Sequence, residues 1–250
     1  MLNYTPVKVL FEFGNFQAHS YGLMLALAFL VGILIAVKEA KKRKIDAFEI
    51  YLLGLISIVS SIIGARLLYI LVNLSYYSSN PLNIFAVQDG GLVFYGGFIF
   101  AIIACIIYIQ LRKQKILFFF DLVSPSIIFG LAITRIGCFL NWCCYGIQSN
   151  LPWAIKVGDD VARHPTQIYS MVADFAIFLF LFNFNKKRKK LDGSTTGLFF
   201  ILYGTFRFLI EFIRYYENAF YLCPFTISQI ISLGLIAIGI FILKKRKIFK

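Results

Sequence analysis

Long apolar runs separated by short polar clusters dominate this chain. Seven runs are long enough to cross a bilayer, which takes roughly 20 apolar residues as a helix. They lie at approximately Ser20–Val37, Ile50–Leu74, Leu92–Leu111, Ile116–Thr134, Ile168–Phe184, Gly197–Ile213 and Phe225–Leu243. Lipid leaves no backbone group unpaired, so spanning segments are helices or closed barrels. These runs are too long and too uniformly apolar for barrel strands. The pattern predicts an all-α integral membrane protein with seven transmembrane helices, one domain over residues 1–250, and no soluble module. No internal repeat or low-complexity tract interrupts it.

Composition agrees. Of the 250 residues, 60% are apolar and only 15% are charged, against about 25% charged in a typical soluble domain. The net charge of +13 suits nucleic acid in principle, but its distribution excludes that reading. KEAKKRK after the first span, RKQK after the third, KKRKK after the fifth and the tail KKRKIFK hold 18 of the 25 Lys and Arg. All four lie on alternate connections. The positive-inside rule places these on the cytoplasmic side, the C-terminus with them and the N-terminus outside. The basic runs are therefore topology signals and contacts for anionic membrane lipid, with no nucleic-acid partner. The start, MLNYTPVKVLFEFGNF, lacks the basic head and small-residue cleavage site of a removable signal peptide.

Three connections then face outward: Ser75–Gly91, Arg135–Gln167 and Tyr215–Pro224. The middle one is long enough to form a small extracytoplasmic head over residues 135–167. Inside the spans, Arg66 sits in SSIIGARLLY, beside small residues suited to close helix packing. LYGTFRFLIEFIRYYE places Tyr203, Arg207, Glu211 and Arg214 within about an 80° arc of an ideal helix. That is one polar stripe, in which Arg207 and Glu211 can pair. Charges within a span are costly and mark functional sites by default. Guanidinium forks bind phosphate through paired, charge-assisted bonds. A cavity open to lipid and lined by Arg66, Arg135 and Arg207 would receive a phospholipid headgroup. In DGGLVFYGG, two glycine pairs flank Tyr95, which suits either an unwound, ligand-facing entry or tight helix packing.

These residues carry a resemblance. HSYGLMLALAFL (19–30), IIGARLLYIL (62–71), DGGLVFYGG (89–97), DLVSPS (121–126), TRIGCFLNWCCYG (134–146), LPWAI (151–155), RHPTQIY (163–169), LYGTFRFLIEFIR (202–214) and TISQIIS (226–232) occur in one order. Over nearly its whole length the chain resembles the bacterial prolipoprotein diacylglyceryl transferases. The resemblance implies a multi-pass enzyme of the bacterial inner (cytoplasmic) membrane. Such an enzyme moves the diacylglyceryl group of phosphatidylglycerol onto the lipobox cysteine of a preprolipoprotein and releases glycerol phosphate. It implies no cofactor and no metal. By position it assigns catalytic roles to Tyr21, Tyr95, Arg135, His164, Tyr203, Arg207 and Glu211. Substrate-binding roles fall to Arg135, Cys138, Asn141, Cys143, Gly146 and Arg207, to which the arginine argument adds Arg66.

The chain departs from the family pattern Gly-Arg-x-Gly-Asn-Phe-x-Asn-Gly-Glu-x-x-Gly. Thr134 stands at its first glycine and Trp142 at the glycine before the glutamate, Cys138 at its first asparagine and Cys143 at its glutamate. Tyr95 stands where the family's GGxxxHGG motif has histidine, and it is a poor base at neutral pH because a phenol ionises near pH 10. His164 and His19 are the remaining outer-side imidazoles. Cys138, Cys143 and Cys144 can form a disulfide, carry a lipid, bind a metal or sit inert, and Cys223 can join them. CxxxxCC lacks a standard zinc spacing, so no metal is expected, and Cys105 reads as packing. Two alternatives remain open. One is a paralogue transferring a phospholipid-derived group to another acceptor. The other is a non-catalytic lipid-binding or thiol-redox membrane protein.

Overall fold

In the computed structural model, residues 2–14, 16–79, 83–84, 91, 93–187, 193–217, 221–222 and 224–245 are described. The helices are α1 (Ser20–Lys42), α2 (Ala47–Val72), α3 (Leu74–Ser79), α4 (Phe94–Leu111), α5 (Ile116–Leu140), α6 (Thr166–Lys186), α7 (Ser194–Ile210) and α8 (Ile227–Lys245). Among the described residues, six helices are long and apolar enough to cross a membrane: α1, α2, α5, α6, α8, and α7 with its following turn through Ile213. The protein is thus a mostly helical, multi-pass membrane protein. The run expected at Leu92–Leu111 forms the shorter apolar helix α4.

Two boundaries differ from the sequence reading in ways that matter. The expected fourth span stops at Thr134, but α5 continues to Leu140. Arg135 and Cys138 therefore sit on a helix, and the irregular connection starts only at Asn141. The expected sixth span runs to Ile213, but α7 ends at Ile210 and a 3-10 turn covers Glu211–Ile213. Beyond it, Arg214 bridges Gly146 as a strand would. Arg214 therefore leaves the helical stripe proposed for it. The cause is backbone pairing: Ile147 N–H donates to Ile213 C=O (3.0 Å) and Tyr215 N–H to Tyr145 C=O (3.2 Å).

Short strands join the helices outside the apolar zone, where a purely helical fold was expected. Strand β1 (Leu2–Tyr4) pairs in parallel with β4 (Ile155–Val157), and β2 (Val9–Phe13) pairs antiparallel with β3 (Phe16–His19). Strands β5 (Tyr221–Leu222) and β6 (Phe225–Thr226) form a further antiparallel pair. Segments outside the helices still need partners for their N–H and C=O groups. The N-terminal segment finds one at the end of α5, where Val7 N–H donates to Leu140 C=O at 2.9 Å.

The chain divides into two compact units: Met1–Ala36 with Phe120–Lys250, and Val37–Phe119. In the second unit, α4 lies directly on α2. A Cβ on Gly64 would meet the Gly96 carbonyl at 2.6 Å, and one on Gly97 would meet the Ser61 carbonyl at 2.8 Å. Gly96 and Gly97 thus serve close packing, as small residues do between helices in lipid. Asp89, Gly90 and Leu92 lie outside the described residues, as does Cys223.

The first unit packs Ile128, Phe178, Leu181 and Phe199 as its apolar centre, with Phe129 and Tyr203 against it. At one end, buried Asp121 organises the start of α7. Its carboxylate accepts from Gly193 N–H, Thr196 N–H and Thr196 Oγ1, each at 2.7 Å. These donors lie at a helix N-terminus, where an anion is favoured. Asp121→Ala should strip three charge-assisted bonds and lower stability by on the order of 3 kcal/mol. Thermal unfolding in detergent measures it, and an unchanged midpoint contradicts the cap.

Candidate functional site

The end of α5 builds the site. Trp142 N–H donates to Phe139 C=O and Cys143 N–H to Cys138 C=O, both at 3.0 Å. This double closure is a Schellman ending, which needs a left-handed residue. Trp142 supplies it at φ 50°. Glycine adopts that conformation freely, whereas other residues incur about 1–2 kcal/mol. The position is one where the resembled family has glycine. Stacking offsets the cost: the Trp142 ring lies 5.6 Å from Tyr145 and 5.7 Å from Tyr4.

The same ending draws the cysteines together. In a Schellman motif the side chains five apart across the closure meet, and here they are Cys138 and Cys143. Cys144 follows at φ 63°. The three Sγ atoms all lie within 4.8 Å of one another. Cys105, Cys138, Cys143 and Cys144 are free thiols. The Cys144 thiol is held well below its ordinary range, chiefly by hydrogen bonds from Cys138 and Cys143, then by the cations of Arg214 and Arg135. Cys143 is pushed up by its hydrogen bonds to Cys138 and Cys144.

The head-loop motif RHPTQIY fixes this turn from behind. Thr166 Oγ1 donates to Cys144 C=O at 2.6 Å, and Gln167 Nε2 donates to Cys143 C=O at 2.7 Å. Gly146 N–H donates to His164 C=O at 2.9 Å. A Cβ on Gly146 would lie 2.5 Å from Ile213 O, 2.7 Å from His164 Cβ and 2.9 Å from Thr166 Cγ2. Gly146→Ala should therefore overpack this junction and cost about 1–3 kcal/mol. A melt that matches the parent would show that the junction gives way freely. The His164 ring meets the Tyr169 hydroxyl at 3.3 Å, and that oxygen accepts from Trp153 Nε1 at 2.7 Å.

One turn before Cys138, Arg135 faces α6. Its Nε stands 4.0 Å from Asp174 Oδ2. Asp174 is fully buried, and neither of its oxygens, nor Arg135 Nε, has a hydrogen-bond partner. Sequence reasoning passed over Asp174. The signal was present as the single acid within the apolar run SMVADFAIF. Tyr203 lies within electrostatic reach of Arg135, Asp174 and Arg207. Tyr21 is within the same reach of Arg135 and the three cysteines. Gly137 lets α1 come close there, its Cβ position lying 3.3 Å from Tyr21 Cα.

Arg207 differs from Arg135 in having a short ion pair. It pairs with Glu211 at 2.7 Å and donates to Ser228 Oγ at 3.1 Å and Tyr216 Oη at 3.4 Å. Glu211 also accepts from Tyr216 Oη at 2.9 Å and Thr226 Oγ1 at 3.0 Å. The anticipated Arg207–Glu211 pair thus exists, within a network that also joins α8. A cavity of about 210 Å³ lies beside Arg135, lined by Arg135, Ile136, Phe139, Gln167, Ile168 and Met171. Its exposed wall is apolar throughout, Arg135 and Gln167 contributing only carbon to it. Asn141 closes the last turn of α5 through its N–H to Gly137 C=O at 3.0 Å.

Arg66 and Tyr95 belong to the second unit. Arg66 is buried, with 7% of its surface exposed, and its fork donates to the carbonyls of Asn83 (2.5 Å), Ile84 (3.0 Å) and Gly91 (3.4 Å). These bonds tie α2 to the connection that follows it. Tyr95 sits in the first turn of α4, half exposed. Cys105 packs against the Leu53 carbonyl of α2.

Comparison with known proteins places this arrangement. The family model described as prolipoprotein diacylglyceryl transferase matches residues 8–244. The phosphatidylglycerol–prolipoprotein diacylglyceryl transferase of Finegoldia magna is 36% identical over 240 residues, covering 96% of each chain. That of Clostridium tetani is 35% identical over 240 residues, 94% of this chain and 95% of its own. That of Clostridioides difficile is 36% identical over 245 residues, 96% and 97%. With its polar residues gathered around the end of α5 and a match running almost end to end, the chain belongs to the prolipoprotein diacylglyceryl transferase family.

Proposed function

We propose that this protein transfers the diacylglyceryl group of phosphatidylglycerol to the lipobox cysteine of a prolipoprotein and releases glycerol phosphate. It does so as a single seven-span transferase of the bacterial inner membrane, with α4 as the remaining span, the N-terminus outside and the C-terminus cytoplasmic. The alternating basic connections support that orientation.

The observation that carries the reading is the contrast between the two arginines. Arg207 is held by Glu211, Ser228 and Tyr216, whereas the Arg135 ion pair to Asp174 is long, at 4.0 Å, its Nε has no hydrogen-bond partner, and it sits beside Tyr203 and an apolar cavity. A phosphate offers Arg135 shorter, charge-assisted bonds than the 4.0 Å contact it leaves. The cavity of about 210 Å³ is below the size of a whole drug-sized site, roughly 300–1,000 Å³. Its apolar lining suits the glyceryl and first acyl carbons of a lipid whose phosphate reaches the Arg135 guanidinium. Arg135 binds the phosphate and stabilises the charge that develops as it departs. Arg207, locked by Glu211, shares α7 with Tyr203, which lies within electrostatic reach of both arginines. Gly146 and the Thr166–Gln167 pair hold the loop that presents Cys143 and Cys144.

The test is purified protein with labelled phosphatidylglycerol and a lipobox peptide. A thioether-linked diacylglyceryl peptide and released glycerol phosphate are expected. Consumption of phosphatidylglycerol without a peptide product would assign another acceptor. No consumption at all would leave a lipid-binding protein.

A further inference from the structure

We propose that Cys138, Cys143 and Cys144 hold one zinc ion whose open fourth position takes the acceptor thiol as a thiolate. The proposal rests on the transferase reading for the identity of that thiol, and on the thiol cluster alone for the ion.

The sequence spacing gave no hint of such a site, because CxxxxCC matches no zinc motif. The fold supplies what the spacing hides. Trp142 in the left-handed region folds Cys143 back over Cys138, and a second left-handed residue, Cys144, completes the trio. The three Sγ atoms lie within 4.8 Å of one another. Zinc–sulfur bonds of about 2.3 Å place tetrahedral sulfurs roughly 3.8 Å apart, so the trio needs to close by an ångström or less. Its frame is already fixed: Cys138 rides on α5, and Gln167 and Thr166 pin the carbonyls of Cys143 and Cys144. Preorganised ligands on a supported frame are what a metal site requires.

Charge favours the assembly. Zinc with three thiolates carries a net charge of −1, and a fourth thiolate makes it −2. Arg135 and Arg214 act on this cluster from close by. A site of neutral or weakly basic ligands would repel a cation beside two arginines, whereas a thiolate-rich zinc centre is drawn to them. Soft sulfur ligands select zinc or copper(I) over calcium or magnesium. Three protein ligands with one open position are the pattern of a working zinc rather than a structural one.

The site answers a chemical gap. Tyr95 and Cys143 stand where the resembled family has histidine and glutamate, so the proton acceptors the family would offer at those two positions are absent. A thiol that coordinates zinc is deprotonated outright. As the acceptor S–Zn bond forms, its proton passes to solvent. That sulfur then attacks the glycerol carbon of the donor. A C–S bond forms, the C–O bond to phosphate breaks, and its electron pair leaves on the phosphate oxygen, where Arg135 meets the charge. The thioether product is a poor ligand and vacates the ion.

The experiment uses the reduced, full-length protein in detergent. Cadmium is titrated first and followed by its ultraviolet thiolate charge-transfer band. One ion per chain is expected. C138S, C143S and C144S should each weaken binding by more than about 100-fold, beyond the loss usual for a supporting residue. C105S should bind as the parent does, with helical circular dichroism checking that each variant folds. Cobalt is loaded next, and a lipobox peptide should shift its visible bands where the serine-substituted peptide does not. Zinc chelation should stop transfer, and zinc should restore it. Retention of the band in the triple serine variant, or no saturation at one ion, overturns the site. A cobalt spectrum indifferent to the peptide overturns the acceptor step. R135A separates this from the transferase reading, since it should lose transfer while still binding one cadmium per chain, with weaker affinity.

Discussion

Arg135→Ala is expected to lower diacylglyceryl transfer by about 10²–10³-fold, the scale of one preorganised charge-stabilising donor. The loss should fall on turnover more than on folding. Arg135 has no hydrogen-bond partner at Nε, and its ion pair to Asp174 is long, at 4.0 Å. Arg135→Lys should rescue poorly, because an ammonium cannot present a fork to phosphate. Transfer to a lipobox peptide, read beside a melting curve, measures both. A variant that melts early and loses activity in proportion would make Arg135 a structural residue. On the proposed reading, Arg135 leaves Asp174 when phosphate arrives.

Glu211→Ala should produce the opposite profile, with loss of stability first and of activity as a consequence. Its carboxylate is almost wholly buried and takes Arg207, Tyr216 and Thr226. Removing it strands the Arg207 charge, and breaking a buried pair costs about 3–5 kcal/mol. Unfolding in detergent should report that drop, and Glu211→Gln should recover part of it by keeping the Tyr216 and Thr226 bonds. A normal melt with dead catalysis would instead make Glu211 a direct participant in proton transfer.

Comparing the two arginines shows what the sequence could express. The helices were legible because lipid demands long apolar runs, and six of the seven expected runs recur, with ends shifted by up to six residues, as helices long and apolar enough to span. The Arg207–Glu211 pair was legible because four residues separate them on a helix. Arg214 was placed on the same stripe by that arithmetic, and wrongly. The helix ends at Ile210 because the chain pairs with the segment after Gly146, a long-range contact that local spacing does not encode. Asp174 escaped notice because a lone acid in an apolar run carries no partner in sequence. Its meaning comes from Arg135, brought beside it by the packing of α5 and α6. The cysteine cluster was hidden for a related reason. Its geometry depends on a tryptophan in a conformation that favours glycine, which no propensity rule would assign.

The site also explains why motif residues far apart in sequence belong together. RHPTQIY contributes backbone clamps to the cysteine turn, and DLVSPS contributes the cap that starts α7. Neither needs to touch lipid to matter.

The most direct measurement is a structure of the protein with phosphatidylglycerol bound in a lipid disc. The account predicts the lipid phosphate about 2.7–2.9 Å from the Arg135 fork, as charge-assisted bonds require, with Asp174 released and the first lipid carbons against Ile136, Phe139 and Met171. A phosphate bound elsewhere, while Arg135 still points only at Asp174, would contradict it.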